Sequence, residues 1–322
     1  MIHMHHPHII GVLALMLSAH ADEPLVRKDE PRRTDAPAAD PARGRVIAAP
    51  QGEEAARQLA WEQEVYRLDL PALMPERSLT VDGATMHYRI FVPPGLDAAR
   101  PVPLVFYFHH AGQRAKDNLR QLRNDYGSSD LGTGVFVHPD SQRRHPCVVV
   151  APQILVEDQW NWGAGIDWGK PRTDMAPAMG RSMAAALAVL DHTLAELPID
   201  RSRIYVTGTS MGGVGSFEAI ARRPQLFAAG LIICGAHDDS KGALFASTPL
   251  QLFHGTCDGI IKVERTRQMV DAIRAAGGQA AYTEFTDLRH MDCRDIVYSI
   301  PAVIEWLFAQ RRPTGLNVID HI

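Results

Sequence analysis

Apolar runs of strand length alternate with stretches of helical length along most of this chain. Pro103–His109 (PLVFYFH), Cys147–Ala151 (CVVVA), Arg203–Gly208 (RIYVTG), Ala229–Cys234 and Leu250–His254 (LQLFH) are nearly continuous in apolar residues. Such runs are expected of strands buried on both faces of a sheet. Ala281–Phe285 is the last of the series. Ser78–Val81 and Thr85–Val92 flank Asp82-Gly83 and predict a hairpin. Helical patterns fall between the runs, at Pro177–Leu197, Met211–Arg222, Val263–Ala276 and Ile300–Gln310, and Gly277-Gly278 stops the third. The alternation predicts an α/β fold with a mostly parallel central sheet flanked by helices.

The pattern fails at both ends. Ile9–Leu17 is apolar but too short to span a bilayer, and Ala19-His20-Ala21 offers small residues for cleavage, so 1–21 is expected to be a signal peptide. Residues 22–58, rich in Ala, Pro, Arg and Asp, are expected to form a flexible linker. The catalytic domain is then expected over 59–311, with 312–322 as a tail, and the protein is expected to be secreted or periplasmic, without a membrane anchor. A formal net charge of -4 with no Lys/Arg run argues against nucleic acid.

Gly208-Thr209-Ser210-Met211-Gly212 is G-x-S-x-G, placed directly after a predicted strand and before a predicted helix. That is the setting of a nucleophile elbow, where the serine is held in a strained turn with its hydroxyl exposed. The competing reading is a serine that caps the helix. A serine needs a base, and the base an orienting carboxylate. In the order Ser, acid, His, Asp258 follows the strand Leu250–His254 and His290 follows the last strand. Asp238 and Asp239 are rivals for the acid; Asp287 and Asp292 read as solvated loop residues, and His237 and His254 as hydrogen-bonded structural ones. The oxyanion needs two N–H donors. Met211, after the nucleophile, supplies one, and Ala111, in the loop after Pro103–His109, is the choice for the other.

The chain resembles the α/β-hydrolase esterases labelled predicted peptidases, related to the polyhydroxybutyrate depolymerase and feruloyl esterase group. The likeness runs from about Tyr88 to Arg311 and is carried by Pro103–Gly112, Ala151-Pro152-Gln153 with Trp160, Arg203–Gly213, His254-Gly255 with Asp258, and His290. It implies a triad on Ser210, Asp258 and His290. One position departs: the family usually has His-Gly where this chain has His109-His110, so His110 must fit the oxyanion loop with a side chain present.

Four cysteines form no CxxC pair, which suggests neither zinc nor dithiol redox chemistry, and no metal or cofactor is expected. Cys257 and Cys293 flank the acid and the base, so a disulfide between them is an expectation; Cys147 and Cys234 read as buried thiols. Trp160, Trp162 and Trp168 either line the cleft or cover the domain's own apolar surface. The leading functional expectation is hydrolysis of a small-molecule or polymer carboxylic ester through an acyl-enzyme. Peptidase or amidase action by the same triad, and a non-catalytic binding protein, are the alternatives. No G-x-G-x-x-G follows an early strand, which argues against a dinucleotide enzyme.

Overall fold

The computed structural model describes residues 33–124, 127–154, 158–160 and 174–312. Its nine strands are β1 (Arg45–Ala48), β2 (Glu76–Val81), β3 (Ala84–Phe91), β4 (Val102–Phe108), β5 (Val148–Gln153), β6 (Ile199–Thr209), β7 (Ala229–Ile233), β8 (Leu250–Gly255) and β9 (Ala280–Thr286). They form one sheet in the order β1-β9-β8-β7-β6-β4-β5-β3-β2. All pairings are parallel except β2 with β3 and β3 with β5. The β2–β3 turn has positive φ at both Asp82 and Gly83, the geometry of a hairpin turn matched to strand twist.

Alternation along the strands feeds two apolar layers. Leu104, Phe106 and Phe108 of β4 pack on one side, with α5 (Arg181–Glu196), α6 (Met211–Arg222) and α7 (Val263–Ala275). Helices α1 (Gly52–Tyr66), α2 (Leu70–Leu73), α3 (Leu131–Val137) and α4 (Pro139–Arg144) precede these in the chain, and α8 (Asp292–Ser299) and α9 (Pro301–Ala309) follow. Val105 and Tyr107 of β4 pack on the other side, with α1, α3, α8 and α9. A sheet sandwiched in this way confirms the expected fold class.

The N-terminal boundary needs correction. The linker expected over 22–58 contains β1, which pairs with β9, and the first turns of α1. Arg33 bonds Glu264 at 2.7 Å, the Asp40 N–H donates to Glu284 Oε2 at 3.0 Å, and Arg43 pairs with Asp271 at 2.9 Å. The folded unit therefore begins well before residue 59. The expected signal peptide lies outside the described residues, as does the tail beyond residue 312. No described helix is long and apolar enough to cross a membrane.

Candidate active site

Four loops at the carboxyl ends of parallel strands meet at one edge of the sheet, where α/β folds place their sites. They follow β4, β6, β8 and β9. Ser210 occupies the junction of β6 and α6 at φ 59° and ψ -124°, a positive φ that is strained for a serine. Its side chain makes no capping bond, which removes the helix-cap reading. The Ser210 N–H donates to Ile233 O at 2.9 Å and ties the elbow to the end of β7. A Cβ on Gly208 would lie 2.6 Å from Phe108 O, and one on Gly212 would fall inside that same oxygen. The two glycines therefore let the first turn of α6 rest on the backbone leaving β4, beside the loop that carries Ala111.

Asp258 and His290 come together as expected. His290 Nδ1 donates to Asp258 Oδ2 at 2.5 Å, with both side chains buried. Asp258 Oδ1 accepts the N–H groups of Ile260 and Ile261 at 2.8 and 2.9 Å. Burial alone would raise the Asp258 pKa, but His290 and His254 hold it well below the usual carboxylate range. Burial works against charge on His290 too, and Asp258 outweighs it, so its pKa stands well above the ordinary histidine value. His290 Nε2 is buried and has no hydrogen-bond partner, and Ser210 retains 8 % exposure. The Ser210–His290 hydrogen bond is not formed in this structure; free enzymes often hold such pairs loosely until substrate binds.

The rivals are occupied elsewhere. Asp238 accepts from the Ser240 and Met175 N–H groups, at 3.0 and 2.9 Å. His237 Nε2 bonds the buried carboxylate of Glu218 at 2.8 Å. Asp287 is exposed as expected, whereas Asp292 is not the solvated residue expected. It is 2 % exposed and accepts from Arg289 Nε at 3.1 Å, at the start of α8.

Ala111 opens a short 3-10 turn, Ala111–Gln113, and Met211 opens α6. Neither N–H has an acceptor among the described residues, as oxyanion donors require. His110 sits at φ -80° and ψ 172°, ordinary extended backbone, so the loop needs no glycine there. Its ring lies against the Gly112 N–H and Arg294 Nη1, each at 3.2 Å. Gln113 braces the turn by donating to Arg123 O at 2.9 Å and to Asp130 Oδ1 at 2.8 Å. His109 Nε2 accepts the Ile154 N–H at 3.1 Å, which leaves the proton on Nδ1, donated to His110 O at 2.8 Å. Burial lowers the His109 pKa to about 4. Trp160 is fully buried, donates Nε1–H to His109 O at 2.9 Å and packs edge-on against Phe108. It supports the loop; Trp162 and Trp168 lie outside the described residues.

The expected Cys257–Cys293 disulfide is absent, since all four cysteines are free and buried. Cys257 faces Asp287 at 3.9 Å, whereas Cys293 lies against Cys234, so the two sulfurs point to different neighbours. Among the described residues, one group has the make-up of a metal site: ligand atoms of Cys234, His254 and Asp258 fall within 4.8 Å of one another. Their hydrogen bonds bind them to each other and to His290 instead, the Cys234 thiol donating to His290 O at 3.4 Å.

Residue reasoning missed the part of His254, which touches the same carboxylate oxygen as His290, at 2.9 Å. Its four-residue spacing from Asp258 was the available signal.

A serine elbow on a parallel sheet, with a buried Asp–His pair beside it, defines the α/β-hydrolase class. Residues 140–307 match the family model described as Phospholipase/Carboxylesterase, and the chain belongs to that family. It is 26% identical over 165 residues to acetylxylan esterase A of Aspergillus ficuum, a match covering 43% of this chain. That match covers 52% of the relative, so the chain spans about half the length of the curated protein. A solved thermostable esterase is 32% identical with a TM-score of 0.68, over 76% of this chain and 64% of the other. Dipeptidyl peptidase 4 of Porphyromonas gingivalis shares the fold at 16% identity, with a TM-score of 0.53 over 74% of this chain and 35% of that one.

Proposed function

We propose that this protein hydrolyses carboxylic esters through an acyl-enzyme on Ser210. The observation that carries the reading is the buried Asp258–His290 pair at 2.5 Å, whose free Nε2 lies at the same strand ends as the strained Ser210 elbow. His290 Nε2 takes the Ser210 proton as Oγ bonds to the ester carbon. Asp258 fixes the tautomer by holding Nδ1–H and stabilises the imidazolium that forms. The Met211 and Ala111 N–H groups receive the negative oxygen of the tetrahedral intermediate. Its collapse breaks the bond to the alcohol, which leaves with the proton from His290. Water, deprotonated by the same ring, then releases the acid. Family membership and the 32% identical esterase support ester rather than amide substrates. The apolar run Ile9–Leu17 with Ala19-His20-Ala21 supports a secreted or periplasmic place of action.

The test compares turnover of p-nitrophenyl acetate with that of a matched peptide p-nitroanilide, in the wild type and in Ser210→Ala. Ester turnover should dominate and should fall by about a thousandfold or more in the variant. Amide turnover exceeding ester turnover would make the protein a peptidase. An unaffected variant would remove Ser210 from the chemistry.

A further inference from the structure

His254 is fully buried at the end of β8. Its Nδ1 lies 2.7 Å from Thr266 Oγ1 on α7. The Thr266 hydroxyl donates its one proton to the carbonyl of Gly235, at 2.7 Å. Thr266 therefore turns a lone pair toward His254, and Nδ1 must carry a proton. On the other side of the ring, Nε2 lies 2.8 Å from Ile261 O and 2.9 Å from Asp258 Oδ2. Both are acceptors, so Nε2 must carry a proton as well. A neutral imidazole has one N–H; two make an imidazolium.

We infer that His254 stands as an imidazolium in the resting protein and that this fixed positive charge, sharing Asp258 with His290, sets the pH window in which His290 accepts a proton. The inference rests on the triad reading for its consequence but not for the charge itself. His254 is a positioning residue: it acts on His290 through Asp258. The titratable groups that face it are Asp258 and His290, from the β8 and β9 loops, and the Cys234 thiol at the end of β7. Burial opposes its charge, and the hydrogen bonds and charge of Asp258 with the Ile261 carbonyl favour it, so its pKa lies above the ordinary histidine value.

The sign follows from charge. A carboxylate alone favours protonated His290. A second cation on the same oxygen disfavours it. His290 is thus neutral, and able to act as a base, at lower pH than a lone Asp258 would allow. The acid limb of the kcat/KM profile reports this ionisation in the free enzyme.

Two measurements test the inference. In protein labelled with 15N-histidine at about pH 8, where a free imidazole is neutral, both ring nitrogens of His254 should give protonated signals. His254→Gln supplies the assignment. One protonated and one bare nitrogen would overturn the inference, since the Thr266 hydroxyl would then donate to a bare Nδ1 instead of to the Gly235 carbonyl. This result does not depend on activity, so it stands apart from any failure of the triad reading. In the kcat/KM profile, His254→Gln should move the acid limb upward by about one pH unit, with the alkaline plateau falling about tenfold or less. Thr266→Val should move the limb the same way, and Thr266→Ser, which keeps the hydroxyl, should leave it in place. A plateau that collapses while the limb stays put would show a purely structural role and overturn the proposed tuning.

Discussion

The Ser210 elbow and the loop after β4, proposed to supply nucleophile and oxyanion donor, lie side by side but are held by opposite means. The elbow depends on missing side chains: Gly208 and Gly212 let two backbones touch where any Cβ would collide. The loop depends on side chains that are present. Gln113, His109, Trp160 and Gln153 each hold one of its backbone groups or a neighbour by a hydrogen bond. Steric exclusion is all-or-none, whereas a hydrogen-bonded brace weakens one bond at a time. The elbow should therefore tolerate no added atom, and the loop should degrade by steps.

The largest effect is expected from Gly212→Ala, whose methyl group meets the Phe108 carbonyl. It should cost more than about 3 kcal/mol in urea unfolding and lower kcat/KM about a hundredfold or more. Gln113→Leu should come next. It leaves the Arg123 carbonyl without a donor and takes one donor from Asp130, which keeps those of Thr133; this costs about 3 kcal/mol and lowers kcat about a hundredfold with little change in KM by displacing the Ala111 donor. If both variants lose stability and turnover in the same proportion, the contrast between the two regions fails.

The loop should also carry a pH signature that the elbow lacks. The folded-state pKa of His109 is lowered from 6.5 to about 4, so the unfolded chain binds the extra proton first. That contribution to stability is present above about pH 6.5 and is lost as pH falls toward 4, amounting to roughly 3 kcal/mol. Urea unfolding across this range should show the loss in the wild type and not in His109→Gln. The smallest effect is expected at His110. Because its backbone is extended, His110→Gly should keep turnover of small esters within about tenfold and cost about 1 kcal/mol through the lost bond to the Gly112 N–H.

The same contrast explains what the sequence revealed. Strands buried on both faces announce themselves as apolar runs, and β4 through β9 lie close to where the pattern predicts them. The elbow was legible because its glycines and serine are adjacent in the chain. Features held by long-range partners were not. Strand β1 is only four residues long (RVIA), set in a Pro- and Ala-rich stretch, and becomes a strand only by pairing with β9. Helix α3 (LGTGVFV) carries two glycines and three β-branched residues, poor helix formers overruled by tertiary packing and by the Asp130 cap on the Thr133 N–H. Cys257 and Cys293 lie near Asp258 and His290 in sequence, yet the direction of each sulfur depends on packing that spacing does not encode. His254 was visible, but its charge follows from a hydroxyl on α7 and a carbonyl after β7, neither nearby in the chain.

The central claim is that Ser210 is the nucleophile, and covalent labelling tests it most directly. After treatment with a fluorophosphonate probe, peptide mapping should find the adduct on Ser210 alone, with no labelling of Ser210→Ala and much slower labelling of His290→Ala. An unlabelled wild-type protein, or an adduct on another residue, would contradict the account.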